Sequence, residues 1–178
     1  MKDGEHQILA TALNPERMER VLERDKQEIE VEKQIESVRT RLNAQEDRRK
    51  RSEVIRKISR KYYELANAMV EDAFYSEAVD LYSKSIAIMK KESNRKAVDS
   101  YFNRAITLAM LGYPKMALDD LRTISNAKPE KADVYFVKGQ IFESLGREKL
   151  AEKMYNKSLS IDPSFYRAAH SLENIRLR

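Results

Sequence analysis

The chain has 178 residues, a length that fits one domain with an appendage, and it carries neither cysteine nor tryptophan, which excludes a disulfide framework and thiolate metal sites. Its 34 basic and 29 acidic side chains leave a net charge of only +5, too small by itself to name a partner. No apolar run is long enough to span a bilayer and residues 1–10 lack the basic-then-apolar order of a signal peptide, so the expected setting is the cytoplasm, away from membrane.

Residues 1–14 read as a flexible start. Asn14, Pro15 and Glu16 then form a helix opening, with a side-chain cap, a proline whose missing donor costs nothing there, and an acid near the positive helix end. No glycine or proline occurs between Glu16 and Leu111, so a charged helical or coiled-coil arm is expected over 15–57. Two apolar seams run along it, Met18, Leu22 and Ile29, then Ile35, Val38 and Leu42, with a shift of register and with Asp25 and Gln45 interrupting them. They are shorter than the three or four heptads a coiled coil wants. A helix leaning on the rest of the chain or on a partner, a homodimeric coiled coil, and an arm ordered only on binding are all compatible with that pattern.

Charge divides this arm. Residues 16–36 hold five basic and eight acidic side chains, and residues 39–61 hold ten basic and three acidic ones. Arg48, Arg49, Lys50 and Arg51 form a consecutive basic patch, which suits nucleic acid, an acidic protein or a nuclear import receptor, or is simply a solvated face. No aromatic residue precedes Tyr62, so a base-stacking surface is missing and nucleic acid is the weaker choice.

From Ser59 onward one spacing occurs three times: a small residue, a second small residue twelve positions later, and a large one four beyond it. The sets are Ala66, Ala78, Tyr82; Ala105, Ala117, Leu121; and Gly139, Ala151, Tyr155. Two helices approach closely only where side chains are small, so each set describes a helical pair whose backbones meet while larger neighbours fill the flanks. An aromatic precedes each first small residue by four (Tyr62, Tyr101, Tyr135), and Met69, Leu108 and Phe142 follow it by three. Gly112 and Gly146 supply the turn, and Pro129 and Pro163 stop the second helix. In the first set Ala73 replaces the turn glycine and Lys90 the closing proline, and five further residues, Lys91 to Arg95, lead to the next set. The second helix there is expected to run on by about a turn.

This pattern resembles the tetratricopeptide repeat, from Ser59 to Pro163. The resemblance implies an all-α fold: a right-handed α-solenoid of three helical pairs over 58–164, preceded by the long charged helix. Residues 165–178 close it, because Phe165, Ala168, Ala169, Leu172 and Ile175 share one helix face and Glu173 stands where a fourth set would need a small residue. This is the expected capping helix.

In that family the first helix of each pair lines the inner wall. The corresponding positions here are Tyr63, Glu64 and Asn67, then Phe102, Asn103 and Ile106, then Phe136, Val137 and Gln140. A row of aromatics (Tyr63, Phe102, Phe136) suits an extended peptide or partner helix, although the chain's own arm could fill the same wall. The carboxylate clamp that some members use to grip acidic chaperone tails would keep Asn67 and Asn103 here, but its cationic places hold Tyr63, Asp133 and Val137. Arg104 and Lys138 stand one residue further along, about 100° around the helix, so the usual clamp is expected to be absent.

Catalysis has little to rest on. The histidines are His6 and His170, no glycine-rich phosphate loop occurs, and neither cofactor nor metal is expected. The resemblance therefore implies a protein-binding adaptor, cochaperone-like or an assembly factor. The alternative is a structural subunit, of cytoskeletal or axonemal type, held by its amino-terminal coiled coil and homodimeric through it.

Overall fold

The computed structural model describes residues 15–41, 48–90 and 97–177. Among the described residues there are eight helices and no strand. They are α1 (Pro15–Arg41), α2 (Arg48–Glu71), α3 (Tyr75–Lys90), α4 (Val98–Met110), α5 (Pro114–Ala127), α6 (Ala132–Ser144), α7 (Glu148–Ile161) and α8 (Tyr166–Arg176). Two compact units divide between Tyr62 and Tyr63, within α2.

The first unit holds α1 and the amino-terminal part of α2, so the stretch read as one charged helix is two. No glycine or proline in the sequence announces that division. Lys61 donates from Nζ to Gln34 Oε1 at 2.9 Å, joining the two helices. Val31 and Ile58 are buried, whereas Leu22 and Ile29, seven residues apart on α1, are 56% and 52% exposed. The buried apolar residue is thus off the expected seam. The side chains of Met18 and Val38, and residues Leu42 and Gln45 altogether, lie outside what the structure describes.

The second unit builds its helical pairs as the spacing requires. Ala66, Ala78, Ala105, Ala117 and Ala151 have no exposed surface, and Gly139 is buried. Tyr82, Leu121 and Tyr155 fill the space beside them and are buried too. At Gly139 the approach is tightest: a methyl group there would overlap the Tyr155 ring, whose hydroxyl donates to Glu143 Oε2 at 2.7 Å and fixes its position. Consecutive helices from α3 to α8 pack on one another, and α4 also touches α6, so the first helices of neighbouring pairs lie side by side.

All three turns between paired helices are the same structure. Ala73, Gly112 and Gly146 adopt left-handed φ values of 63°, 81° and 68°. In each, the next amide reaches back to the helix: Phe74 to the Met69 carbonyl at 2.7 Å, Tyr113 to Leu108 at 2.8 Å and Arg147 to Phe142 at 2.8 Å. This closes the orphan carbonyls of the first helix while reversing the chain. Alanine takes the glycine conformation in the first turn, at a steric cost from its Cβ.

The second helices end as Pro129 and Pro163 dictate, with Lys128 and Asp162 amides bonded to Ile124 and Ser158 carbonyls at 2.7 and 2.9 Å. Without such a proline α3 has 16 residues where α5 and α7 have 14, and Lys91 to Arg95 lie outside the described residues. α8 buries Ala168 and Leu172 and closes the core against α7. Arg104 of α4 is bonded within its own pair to Asp120 of α5, at 2.8 and 2.7 Å, and to the preceding pair at Ser83 of α3, at 2.8 Å.

Candidate functional site

The wall is formed by the carboxyl half of α2 together with α4 and α6. α4 packs beside α6, and Asn103 of α4 is hydrogen-bonded to Tyr63 and Asn67 of α2. Between α4 and α6 the wall contains a cavity of about 450 Å³, lined by Phe102, Ile106, Ala109 and Met110 from α4, by Asp133, Phe136, Val137, Gln140, Ile141 and Ser144 from α6, and by Arg167 from α8. Its lining is chiefly apolar with a few polar groups, the composition of a site that takes an apolar side chain and orients it.

Five of the nine wall residues expected from the sequence line this cavity: Phe102, Ile106, Phe136, Val137 and Gln140. Their exposure differs. Gln140 is exposed, Phe102 and Ile106 are half-buried, and Phe136 and Val137 are only 3% and 9% exposed. Phe136 forms part of the core, with ring centroids 5.7 Å from Tyr155 and 5.3 Å from Phe165, and offers the cavity a floor where a projecting aromatic was expected. The row of aromatics is therefore graded in depth.

Of the other four, Glu64 does not line the cavity, and Tyr63, Asn67 and Asn103 form a separate polar cluster. Asn103 donates through Nδ2 to the Tyr63 hydroxyl at 3.1 Å and to Asn67 Oδ1 at 2.9 Å, and Tyr82 donates its hydroxyl to the same Oδ1 at 2.6 Å. Both hydrogens of the Asn103 amide are thus engaged within the protein. Burial pushes the Tyr82 phenol up to about 12, with the nearby Asn103 amide opposing that rise.

The cations beside the wall face away from it. Arg104 is committed to Asp120 and Ser83, and Lys138 donates to Ser125 Oγ at 2.8 Å with its ammonium 5.3 Å from the Tyr135 ring centre. Burial, aided by the charge of Arg122, holds Lys138 below the usual lysine range. Arg48, Arg49, Lys50 and Arg51 form the first turn of α2, and their side chains lie outside the described residues.

Two cations that the repeat positions do not point to do reach the site. Arg167 of α8 stands 4.7 Å over the Phe136 ring, and Lys131, just ahead of α6, lies 5.8 Å over the Phe102 ring and 3.7 Å from Asp99. Lys131 follows Pro129 closely enough to be placed at the start of a helix from sequence. For Arg167 the spacing places α8 but not the direction of its exposed side chains. Among the described residues no group of three or more His, Asp or Glu side chains is placed to hold a metal ion, and no helix is long and apolar enough to cross a membrane.

Comparison with known proteins agrees with this geometry. Residues 132–165, which are α6, α7 and the turn into α8, match the sequence pattern of the tetratricopeptide repeat. The serine/threonine-protein phosphatase T of Trypanosoma brucei brucei is 28% identical over 103 residues, covering 58% of this chain and 21% of that protein. The chain therefore spans about a fifth of that relative's length. Among solved structures, the first tetratricopeptide domain of Spaghetti (RPAP3), bound to the HSP90 peptide SRMEEVD, matches with TM-score 0.60 and 21% identity over 67% of this chain and 90% of that one. The Arabidopsis OM64 domain matches with TM-score 0.62 and 22% identity over 68% of this chain and 97% of its own. Repeated small-residue contacts, three identical left-handed turns and these likenesses identify one fold, and the second unit has the architecture of tetratricopeptide-repeat domains.

Proposed function

We propose that this chain is a protein-interaction scaffold, an adaptor or assembly factor of cytoplasmic type, that receives a partner peptide or helix along the wall of α2, α4 and α6. The observation that carries this is the cavity of about 450 Å³ between α4 and α6, apolar in its floor and opening beside the exposed Gln140. An apolar pocket at the junction of two repeats anchors a side chain, and the rest of the wall supplies contact to the peptide backbone. The Spaghetti domain, of the same fold, holds a peptide.

The mode of capture differs from a carboxylate clamp. Asn103 spends its amide hydrogens on Tyr63 and Asn67, and an acid, Asp133, lines the cavity. A terminal carboxylate brought there would meet one repelling charge and few remaining donors. The test is affinity capture followed by mass spectrometry, comparing the wild type with Phe102→Ala and with Ile106→Ser. Both side chains are half-buried and line the cavity, so the expected result is loss of the same partners from both variants with unchanged circular dichroism. Full retention of those partners would place the binding surface elsewhere.

A second reading, self-association through α1, is favoured by the exposure of Leu22 and Ile29 at heptad spacing. Light scattering of the full chain and of its Leu22→Ser, Ile29→Ser variant tests it: a dimer in the first and a monomer in the second would support a structural subunit.

A further inference from the structure

Lys138 and Lys157 lie over a ring, that of Tyr135, but Arg167 is the cation that lines the cavity. Arg104 also lies over an aromatic ring, 5.5 Å from Tyr101, yet Asp120 holds it bidentately; Lys131 has Asp99 beside it. Arg167 lies over Phe136 at 4.7 Å, is exposed, lines the cavity, and makes no ion pair among the described residues. A guanidinium held over a ring has less rotamer freedom left to lose when it pairs with an acid.

We propose that the cavity takes a bulky apolar side chain of a partner peptide and that Arg167 pairs with a single acidic side chain next to it in that peptide. This rests on the wall being the peptide site, and it specifies the chemistry of the peptide. An internal Glu or Asp suits the site better than a chain end, because the amide hydrogens of Asn103 that could help hold a terminal carboxylate are already used by Tyr63 and Asn67. One acid suits it better than several, because Asp133 lines the same cavity and repels a second negative charge. The recognised element is therefore an apolar residue beside one acid, in otherwise uncharged surroundings.

The test uses the full chain and fluorescent, amide-terminated nonapeptide pools with a fixed central pair and Gly, Ser, Ala and Thr elsewhere, read by anisotropy. Four pools carry Leu-Glu, Leu-Gln, Leu-Lys and Ala-Glu. The wild type should bind Leu-Glu about fivefold more tightly than Leu-Gln, and Leu-Lys and Ala-Glu more weakly still. Arg167→Ala should make Leu-Glu and Leu-Gln equal while retaining Leu-Gln binding, Arg167→Lys should keep part of the preference, and Phe102→Ala should weaken both pools alike. Arg167 is exposed, so circular dichroism should show these Arg167 variants folded.

Equal wild-type affinity for Leu-Glu and Leu-Gln, or a preference that survives Arg167→Ala, overturns the assignment; if Phe102→Ala still weakens both pools, the wall remains a peptide site. A Leu-Gln pool with a free terminal carboxylate that outbinds amide-terminated Leu-Glu also overturns it, in favour of chain-end capture. Absence of binding by every pool overturns both this assignment and the wall as the site.

Discussion

At the scale of single residues, the left-handed turns and the Gly139 contact bear the most weight. Ala73 holds a φ of 63° that its Cβ resists, so Ala73→Gly should stabilise the protein by about 1 kcal/mol, read as a higher denaturant midpoint with unchanged slope. Gly139→Ala should do the reverse by about 1–3 kcal/mol, because the added methyl meets the Tyr155 ring, including Cζ at 2.9 Å, and that ring is fully buried. Tyr82 provides a pH dependence. Its folded pKa of about 12 lies above the ordinary 10.0, so the folded state keeps a proton that the unfolded chain releases, and the associated stability is complete below pH 10.0 and lost as pH rises towards 12. Wild type should lose about 2–3 kcal/mol more than Tyr82→Phe across that interval, measured by denaturation at stepped pH. The small-residue spacing was legible in the sequence because tight helix contact admits so few residue types. The shared hydrogen bonds of Asn67 were not, since they depend on a tyrosine fifteen positions away turning its hydroxyl inward.

At the scale of elements, punctuation decided what could be read. Pro114, Pro129 and Pro163 with Gly112 and Gly146 mark the boundaries of α4 to α8, and the helices begin and end beside them. Between α1 and α2 the sequence offers only charged and helix-favouring residues, so two helices read as one. α8 was recognisable as a cap from its apolar stripe, while its exposed face, which carries Arg167, follows no repeat position. The cap should contribute strongly to stability: Leu172→Ala, at 6% exposure, is expected to cost about 2–4 kcal/mol by equilibrium denaturation. Phe136 belongs with such core residues, so a variant there reports folding and binding together and is a poor probe of the wall.

At the scale of the whole molecule, the second unit is a stack in which helices touch mainly their neighbours. Stability in such an array is close to a sum of local terms and nearest-neighbour contacts. Ala73 lies in the first pair and Gly139 in the third, without shared partners, so the effects of Ala73→Gly and Gly139→Ala should add within about 0.5 kcal/mol in the double variant. Larger coupling would show that the pairs respond as one body. The existence of a groove was legible, because repetition itself aligns the first helices of successive pairs. The depth of its cavity and the cation at its edge were not, because they arise where the array stops repeating.

Arg167 reaches the cavity from a helix that also seals the end of the core through Ala168 and Leu172. If a guest grips this arginine as proposed, occupancy and fraying are thermodynamically linked: the guest suppresses opening of the terminal segment, and loosening that segment releases the guest in the same proportion. A molecule that binds only the docked form of α8 would then gain leverage over the pocket without entering it.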